Sequence, residues 1–505
     1  LPVLARLRAL ATNLAFYGLG DVATSIASFL LLPLYVRFLS PTDYGAIGLL
    51  LSVEVVAKIV FRWGIDAAFM RLYFDCDTDA DRQRLASTLF WFLAAANGLI
   101  LALVLAAVPW IAAQFGLGGY EWPLRLVLVN TFVIGFYFFP FHVLRIAGES
   151  RRFAMLTTTR SVATLLARLA LIVGAGLGVL GFVLADVIVS AVFTLLLLRW
   201  FAPLIRPVFS RTLLREALRF GLPRLPHGVA QQVIAFGDRY LLGLFAGLRE
   251  VGLYSIGASF GLGMKLFLSA FEYAWAPFYF QTMKEPDART TFRLVTTYGF
   301  AVLVLLEAGL AAVAYDIVRL MTTPEFYEAA RVIPWIGLGV VFQGVYLLTS
   351  IGLNITKQTQ YYPVATGTAA VASVAGNLLL VPRYGAAGAA WANAGAYAVL
   401  AGTAFALSQR VYPVPLEYGR LARLAIAGAA AWLLAGLWPD TLPAAAGVIL
   451  RGLTVCATWP ALLFLLRFYD ARELRAVGRL VARMRTRRAA PAEARARLAD
   501  DRTTT

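Results

Sequence analysis

Charged side chains are scarce in this sequence. Only 14% of its 505 residues are Asp, Glu, Lys or Arg, whereas 60% are hydrophobic, and the mean hydropathy is +0.74. Soluble globular proteins carry roughly 25% charged residues. The shortage of charge therefore excludes an ordinary soluble protein and predicts an all-α polytopic membrane protein that mostly faces lipid.

Cysteine and histidine are rare as well, with two of each. Cys76 falls in a loop and Cys456 in a late apolar segment, and their spacing matches neither a disulfide framework nor a zinc site. The acidic run at 75–79 suits a solvated loop better than a metal site, so we expect no metal. The formal net charge is +17. Because Lys and Arg collect in the cytoplasmic loops of membrane proteins, and no basic soluble domain is present, we expect no nucleic-acid partner.

Long apolar segments dominate the sequence. We predict about 14 transmembrane helices of roughly 20 residues, the length that a bilayer requires. The predicted spans are 12–36, 44–64, 86–113, 122–144, 154–174, 179–200, 220–246, 251–275, 294–315, 330–352, 361–382, 384–408, 420–437 and 443–467. The loops at 174–179 and 382–385 are so short that each predicts a tight helical hairpin. Basic residues concentrate in alternate loops, which predicts that both termini lie in the cytoplasm. Residues 1–10 lead straight into the first span, so we expect no cleavable signal peptide.

Three short motifs recur in the same order about 207 residues later. The pairs are Phe38-x4-Asp43-x-Gly45 with Phe245-x4-Glu250-x-Gly252, Ala68-Phe69-x3-Tyr73-Phe74 with Ala274-Trp275-x3-Tyr279-Phe280, and Gly178-x2-Gly181-x3-Ala185-Asp186 with Gly385-x2-Gly388-x3-Ala392-Asn393. This repeat predicts two pseudo-symmetric six-helix lobes, 12–205 and 218–410, around a central cavity. An extra helix pair at 415–468 and a basic cytoplasmic tail at 469–505 follow them. Six spans separate the copies, so both copies have the same orientation in the membrane, as in transporters with parallel repeats.

The tail after Tyr469 has an amphipathic pattern. An apolar face and an arginine face at four-residue spacing predict a helix on the anionic cytoplasmic leaflet, so membrane lipids are expected partners. Beyond Ala489 the composition is typical of disorder.

The second span carries charge where lipid disfavours it. Glu54, Lys58, Arg62 and Asp66 recur every fourth residue, so a continuous helix places them in one stripe. A charge at the bilayer centre costs about 2.5–3.5 kcal/mol, so the stripe must pair internally and face a bundle interior or an aqueous cavity. The repeat gives Lys58 a counterpart in Lys265, and Asp66 a counterpart in Glu272.

Several blocks of the sequence resemble one family. They are Tyr17-Gly18-Leu19-Gly20, Leu31-Leu32-Pro33-Leu34-Tyr35 and Leu39-Ser40-Pro41-Thr42-Asp43-Tyr44-Gly45, followed in the second lobe by Leu222-Pro223-x2-Pro226-His227, Asp238-Arg239-Tyr240-Leu241-Leu242, Val251-Gly252-Leu253-Tyr254 and Ala274-Trp275-Ala276-Pro277-Phe278. These blocks resemble the polysaccharide-transport branch of the multidrug/oligosaccharidyl-lipid/polysaccharide (MOP) exporter superfamily. The resemblance covers both lobes but is weak in the last helix pair. It implies two six-helix bundles in a V, and a flippase that moves undecaprenyl-diphosphate-linked oligosaccharide from the cytoplasmic to the periplasmic leaflet of the bacterial inner membrane. A polysaccharide polymerase and glycosyltransferases are the expected pathway partners.

For such a substrate, cationic side chains are the candidate diphosphate ligands. We expect Lys58 and Lys265 to face each other across the cavity, with Arg168 in support; the alternative for Lys58 is a structural pair with Glu54. Arg62 and Arg160 contact substrate or instead snorkel to the interface. The candidates for ion coupling or ion pairing are Asp21, Glu54, Asp238, Arg239 and Glu272. Of the adjacent Asp238 and Arg239, we expect at least one to meet a partner in the first lobe.

Two other functions remain open at this point. A drug/cation antiporter of the same superfamily needs an acidic cavity, whereas the first lobe is rich in cations. A membrane glycosyltransferase or ligase needs catalytic groups on a sizeable outside loop, and the two-lobe repeat argues against it. We therefore expect a transporter rather than an enzyme. The sequence lacks a nucleotide-binding P-loop, so we expect no cofactor, and a drive from ion gradients, membrane potential or substrate consumption.

Overall fold

The computed structural model describes residues 26–147 and 149–470, which form α-helices joined by short loops, with no strand in these two ranges. We number the helices α1 (Leu32–Tyr35), α2 (Pro41–Arg62), α3 (Ile65–Phe74), α4 (Asp79–Gln114), α5 (Glu121–Ile134), α6 (Phe138–Ile146), α7 (Ser150–Leu169), α8 (Gly178–Phe201), α9 (Arg211–Gly221), α10 (Leu225–Phe245), α11 (Leu248–Phe260), α12 (Leu262–Thr282), α13 (Ala288–Met321), α14 (Ile333–Thr349), α15 (Ile351–Ile355), α16 (Tyr362–Val411), α17 (Tyr418–Ala435) and α18 (Ala444–Leu465). The predicted all-α class is confirmed.

The chain is a multi-pass membrane protein. Nine helical segments within the described ranges are long and apolar enough to span a bilayer, and ten if the bent pair Leu248–Phe260 and Leu262–Glu272 forms one span; two of the nine, Pro41–Phe74 and Glu121–Leu144, join two of the numbered helices. The count of 14 is not confirmed. Residues 12–25 of the first predicted span and residues 471–505 of the predicted tail lie outside the described residues.

Both predicted hairpins are present. The 50-residue helix α16 contains two predicted spans, and its helical conformation breaks at Gly385, where φ is 53° and ψ is −131°. A Cβ atom on Gly376 would lie 3.2 Å from the Cβ of Ala392, so the chain reverses at the break and its two halves pack together. In the other hairpin, a Cβ on Gly181 would lie 3.0 Å from the backbone of Leu171.

The charged stripe from Glu54 to Asp66 lies on two helices rather than one. Ser40 begins α2 with a capping box, in which its Oγ accepts from the Asp43 N–H and the Asp43 carboxylate accepts from the Ser40 N–H. The helix ends at Arg62 because Trp63 and Gly64 are left-handed, with φ of 52° and 68°. We therefore correct the single-helix stripe: Asp66 belongs to α3, although it stays 3.8 Å from Arg62.

Three sets of helix contacts fix the positions of α2, α9 and the extra helix pair. Helix α2 packs against α11 so closely that Gly45 and Gly252 meet backbone to backbone. Helix α9 lies in the basic stretch between the predicted lobes, where an interfacial helix over 212–220 is predicted. It packs its apolar face, including the buried Ala217, on α3 and α4. The extra helices α17 and α18 pack on α13.

Candidate functional site

Three of the predicted cationic ligands line one cavity. It has a volume of about 290 Å³, and Lys58 and Arg62 of α2 meet Arg160 of α7 there, beside the carboxylate of Asp66. The remaining wall comes from the end of α5, the start of α6 and α7, and includes His142. Three fixed cations around one carboxylate favour an anionic ligand with more than one negative charge.

Within this cavity, two cations already have carboxylate neighbours on the same stretch of chain. The Nζ of Lys58 lies 2.6 Å from Glu54, and Arg62 lies 3.8 Å from Asp66. The alternative interpretation of Glu54 and Lys58 as an intrahelical pair is thus observed, while Lys58 still lines the cavity. An ion pair at four-residue spacing contributes only a few tenths of a kcal/mol in an exposed helix, so an anionic ligand can compete for the lysine.

Arg160 is more available to bind a ligand than Lys58 and Arg62 are. Its guanidinium lies 5.2 Å from the ring centre of Tyr137, and its buried Nε has no hydrogen-bond partner among the described residues. Tyr137 is held in turn by α8, since its hydroxyl donates to the Ser190 carbonyl at 2.5 Å and lies 3.0 Å from the Thr194 hydroxyl. A buried guanidinium nitrogen without an acceptor is costly, and a phosphate oxygen would satisfy it.

Arg168 does not line this cavity. Its guanidinium instead binds Asp186 of α8 through two hydrogen bonds of 3.0 and 2.7 Å, and lies 3.7 Å from the ring centre of Phe182. The sequence singled out Arg168, whereas Asp186 is not among the candidates for ion coupling or ion pairing. The sequence does contain a signal for this pair. Arg168 lies nine positions before Leu177 and Asp186 nine positions after it, so the turn of the predicted hairpin at Leu177 brings them to the same level of the two helices.

The second half of the chain has its own polar cluster. Asp238 of α10 is buried and accepts from the Tyr254 hydroxyl and, at 3.4 Å, from the Asn393 amide, while Arg239 lies 3.5 Å away. Among the described residues these contacts come from 218–410, and the expectation of a partner in the first lobe stays a prediction. Lys265 of α12 is not among the residues that line the cavity with Lys58.

Two predicted residues stand apart from these clusters. Glu272 is an exposed side chain on α12. Asp21 lies outside the described residues. No group of three His, Cys, Asp or Glu suited to a metal ion occurs in the described ranges.

The family model described as "Polysaccharide biosynthesis protein" matches residues 34–331, more than half of the chain. The chain belongs to this family. No curated protein matches its sequence. The family assignment agrees with the resemblance to the polysaccharide-transport branch of the MOP exporter superfamily.

Solved structures share the fold of this polysaccharide biosynthesis protein. The lipid II flippase MurJ in an inward closed conformation matches with a TM-score of 0.64 at 14% identity, over 88% of this chain and 99% of MurJ. An inward-facing multidrug resistance MATE family transporter of the MOP superfamily matches with a TM-score of 0.58 at 16% identity, over 78% and 94%. A MOP superfamily transporter from Pyrococcus furiosus gives 0.50 at 17% identity, over 82% and 96%. At such identities the likeness establishes the fold.

Proposed function

We propose that this protein flips a polyprenyl-diphosphate-linked oligosaccharide from the cytoplasmic to the periplasmic leaflet for cell-surface polysaccharide export. The observation that carries the proposal is the cavity in which Lys58, Arg62 and Arg160 converge. A diphosphate has the charge to engage several cations at once, and Arg160 offers a buried donor that lacks an acceptor. Membership in a polysaccharide biosynthesis family supports an oligosaccharide cargo.

The proposal includes the two lobes, 12–205 and 218–410, and a role for Lys265. Lys58 and Lys265 each lie 13 residues beyond the glycine at which α2 and α11 meet. At 1.5 Å per residue, each lysine is about 20 Å along its helical path from the contact. The second path bends by 49° between α11 and α12. Two helices that touch at one end and carry a lysine at equal distance suit an anion held between lobes that rock by alternating access.

We place the protein in the bacterial cytoplasmic membrane with both termini in the cytoplasm. The distribution of Lys and Arg between alternate loops supports this orientation. Membrane lipids surround it, and a polymerase and glycosyltransferases of the same pathway are the proposed partners. The drive comes from an ion gradient, the membrane potential or consumption of the flipped product.

Reconstituted vesicles test the proposal directly. The purified protein is inserted into liposomes with a fluorescent polyprenyl-diphosphate saccharide, and flipping is measured by the loss of probe accessible to an external quencher. The double variant Lys58→Ala, Lys265→Ala should lose most of the flipping rate, and Arg160→Ala should weaken it. The matched control is Lys284→Ala, Lys357→Ala, because the chain has four lysines and these two lie in loops outside the helices. Equal flipping by the two double variants would refute the cavity assignment.

The drug/cation antiporter remains the alternative, since a MATE transporter shares the fold. It predicts that vesicles take up cationic drugs against a sodium or proton gradient. The three cations of the cavity repel such a substrate, so we expect no uptake.

A further inference from the structure

Helix α9 carries a row of unpaired arginines on its surface. Arg211, Arg215 and Arg219 recur every fourth residue, so they form one stripe, and all three are exposed. None of their guanidinium groups has a carboxylate or hydrogen-bond partner among the described residues. Together with Leu214 and Leu218 they line an open hollow of about 520 Å³. Cationic donors beside hydrocarbon suit an anionic ligand that also has an apolar part.

The opposite face of α9 is occupied by the first lobe. Ala217 is buried, and Leu213 packs with it in an apolar cluster shared with α3 and α4. At the start of the helix, the Ser210 N–H donates to the Thr88 hydroxyl of α4 at 3.1 Å. These contacts fix α9 against the first lobe and leave the arginine stripe open.

Two exposed tryptophans of α4 indicate where this helix crosses the bilayer. Trp91 and Trp110 are 44% and 67% exposed. The 19 residues between their positions correspond to about 28 Å of helix at a rise of 1.5 Å per residue. The hydrocarbon core of a bilayer is about 30 Å thick, and tryptophan is enriched at both of its interfaces. The pair therefore marks the two interfaces, with Trp91 on the proposed cytoplasmic side.

Helix α9 begins close to the level of Trp91. The Trp91 indole N–H donates to the Arg206 carbonyl at 2.9 Å, just before the helix. Thr88, which accepts from Ser210, is three residues, or about 4.5 Å, further toward the cytoplasm. The headgroup region adds about 5–7 Å to each side of the hydrocarbon core, so α9 starts within that layer.

Apolar side chains flank the arginine stripe at both ends. Val208 and Phe209 before it, and Phe220 and Leu222 after it, are exposed. A helix that combines arginines with exposed apolar groups binds a leaflet through charge and insertion together. An acidic protein in the cytoplasm would match the arginines, but it would leave these apolar groups at headgroup depth without a role. A lipid accounts for both features.

We propose that the arginine stripe of α9 binds the phosphate of an anionic phospholipid in the cytoplasmic leaflet. A guanidinium group can donate two parallel hydrogen bonds to a phosphate, which suits arginine to this ligand. The site also lies at the joint between the proposed lobes. Helix α9 ends at Gly221, where a Cβ would lie 2.8 Å from the Gly64 carbonyl oxygen, and the chain continues into α10. A lipid bound here anchors that joint to the leaflet.

Native mass spectrometry of the full chain in a neutral detergent tests the site by counting bound phospholipids. We expect the protein to retain phosphatidylglycerol in preference to phosphatidylcholine. The triple variant Arg211→Gln, Arg215→Gln, Arg219→Gln should weaken the tightest phosphatidylglycerol site about a hundredfold, the effect of three basic residues at an anionic surface. If this variant does not fold, Arg215→Gln alone should weaken the site about fivefold.

The matched control removes the same number of charges elsewhere. Arg37, Arg331 and Arg383 are also exposed and also lack a carboxylate partner among the described residues, so replacing all three by Gln should leave the affinity unchanged. Equal retention of the two lipids, or an equal loss in the control variant, would show a general charge effect and overturn the inference.

Two competitors distinguish the lipid from other anions. Glycerol 3-phosphate that competes as strongly as phosphatidylglycerol would identify a site for a soluble phosphate, and a polyglutamate peptide that does so would identify an acidic protein partner. Either result would overturn the lipid assignment. Bound lipid is counted without any oligosaccharide substrate, so the outcome is independent of whether the protein flips one.

Discussion

Gly45 of α2 and Gly252 of α11 pack against each other through their backbones. A Cβ on Gly45 would lie 1.8 Å from the Leu248 carbonyl oxygen, and a Cβ on Gly252 would lie 1.9 Å from the Pro41 carbonyl oxygen. Leu248 follows Pro41 by 207 positions, as Gly252 follows Gly45, so the contact is reciprocal under the repeat. This reciprocity supports the proposed pseudo-symmetric pair of lobes, and small residues are what allow helices to approach so closely in a membrane.

We predict that Gly45→Ala or Gly252→Ala forces the two helices apart. Overpacking at such a site costs about 1–3 kcal/mol, so the midpoint of thermal unfolding in detergent should fall and flipping should slow. Gly263→Ala is the control, because a Cβ there meets no atom within 4 Å. An unchanged midpoint in both crossing variants would show that the helices separate without cost.

The pair between Arg168 and Asp186 should stabilise the α7–α8 hairpin. Both side chains are mostly buried, at 18% exposed, so removing one partner leaves a charge unpaired and should cost roughly 3 kcal/mol. We expect Asp186→Asn or Arg168→Gln to lower the unfolding midpoint, and the exchanged pair Arg168→Asp, Asp186→Arg to recover part of it. The exposed pair of Arg82 and Asp79 is the comparison, and its loss should have little effect.

A buried ion network should fasten the extra helix pair to α13. Arg451 of α18 lies 3.2 Å from Asp316 and 2.6 Å from Asp440, and donates to the Trp438 carbonyl at 2.9 Å. Among the described residues, Arg451→Met leaves Asp316 with Arg319 alone, 3.8 Å away, and should destabilise the protein by about 3–5 kcal/mol.

The double variant Arg451→Met, Asp316→Leu provides the internal check on that prediction, because it removes both charges and should be more stable than Arg451→Met alone. Protection of α18 from amide hydrogen exchange measures the effect. If Arg451→Met preserves that protection, apolar packing alone keeps α17 and α18 against α13.

Cys76 should react slowly with maleimides. Burial, followed by the negative charge of Asp81, raises the pKa of the Cys76 thiol. The thiolate is the reactive form, so at neutral pH less of it is present than in a free cysteine. The labelling rate should therefore keep rising with pH beyond the range in which a free cysteine is already fully deprotonated. In a Cys456→Ser background, Asp81→Asn should lower the pKa and speed labelling; an unchanged rate would contradict the role of Asp81.

The same cysteine tests the proposed orientation. Because the loop at 75–78 is predicted to be cytoplasmic, a membrane-impermeant maleimide should label Cys76 only after cells are permeabilised. Labelling of intact cells would contradict the proposed orientation and place this loop outside the cytoplasm.

Local interactions were predictable from the sequence. Composition alone determined the all-α membrane class. Spacing predicted the two hairpins and the α9 helix, and it gave the Glu54–Lys58 pair as the alternative to diphosphate binding by Lys58. These features depend on residues within a turn or a short loop of each other, so the distance along the chain sets the distance in space. The Trp63–Gly64 break escaped prediction, because the apolar pattern runs straight through it.

Contacts between different helices required the tertiary structure. The sequence named Lys58, Arg62, Arg160 and Arg168 as candidates of one kind, but only the packing of α2, α3, α6 and α7 brought the first three to one cavity and turned Arg168 toward Asp186. The rotation of each helix and the angle at which it crosses its neighbours decide which side chains meet, and the packing of whole helix faces sets both quantities.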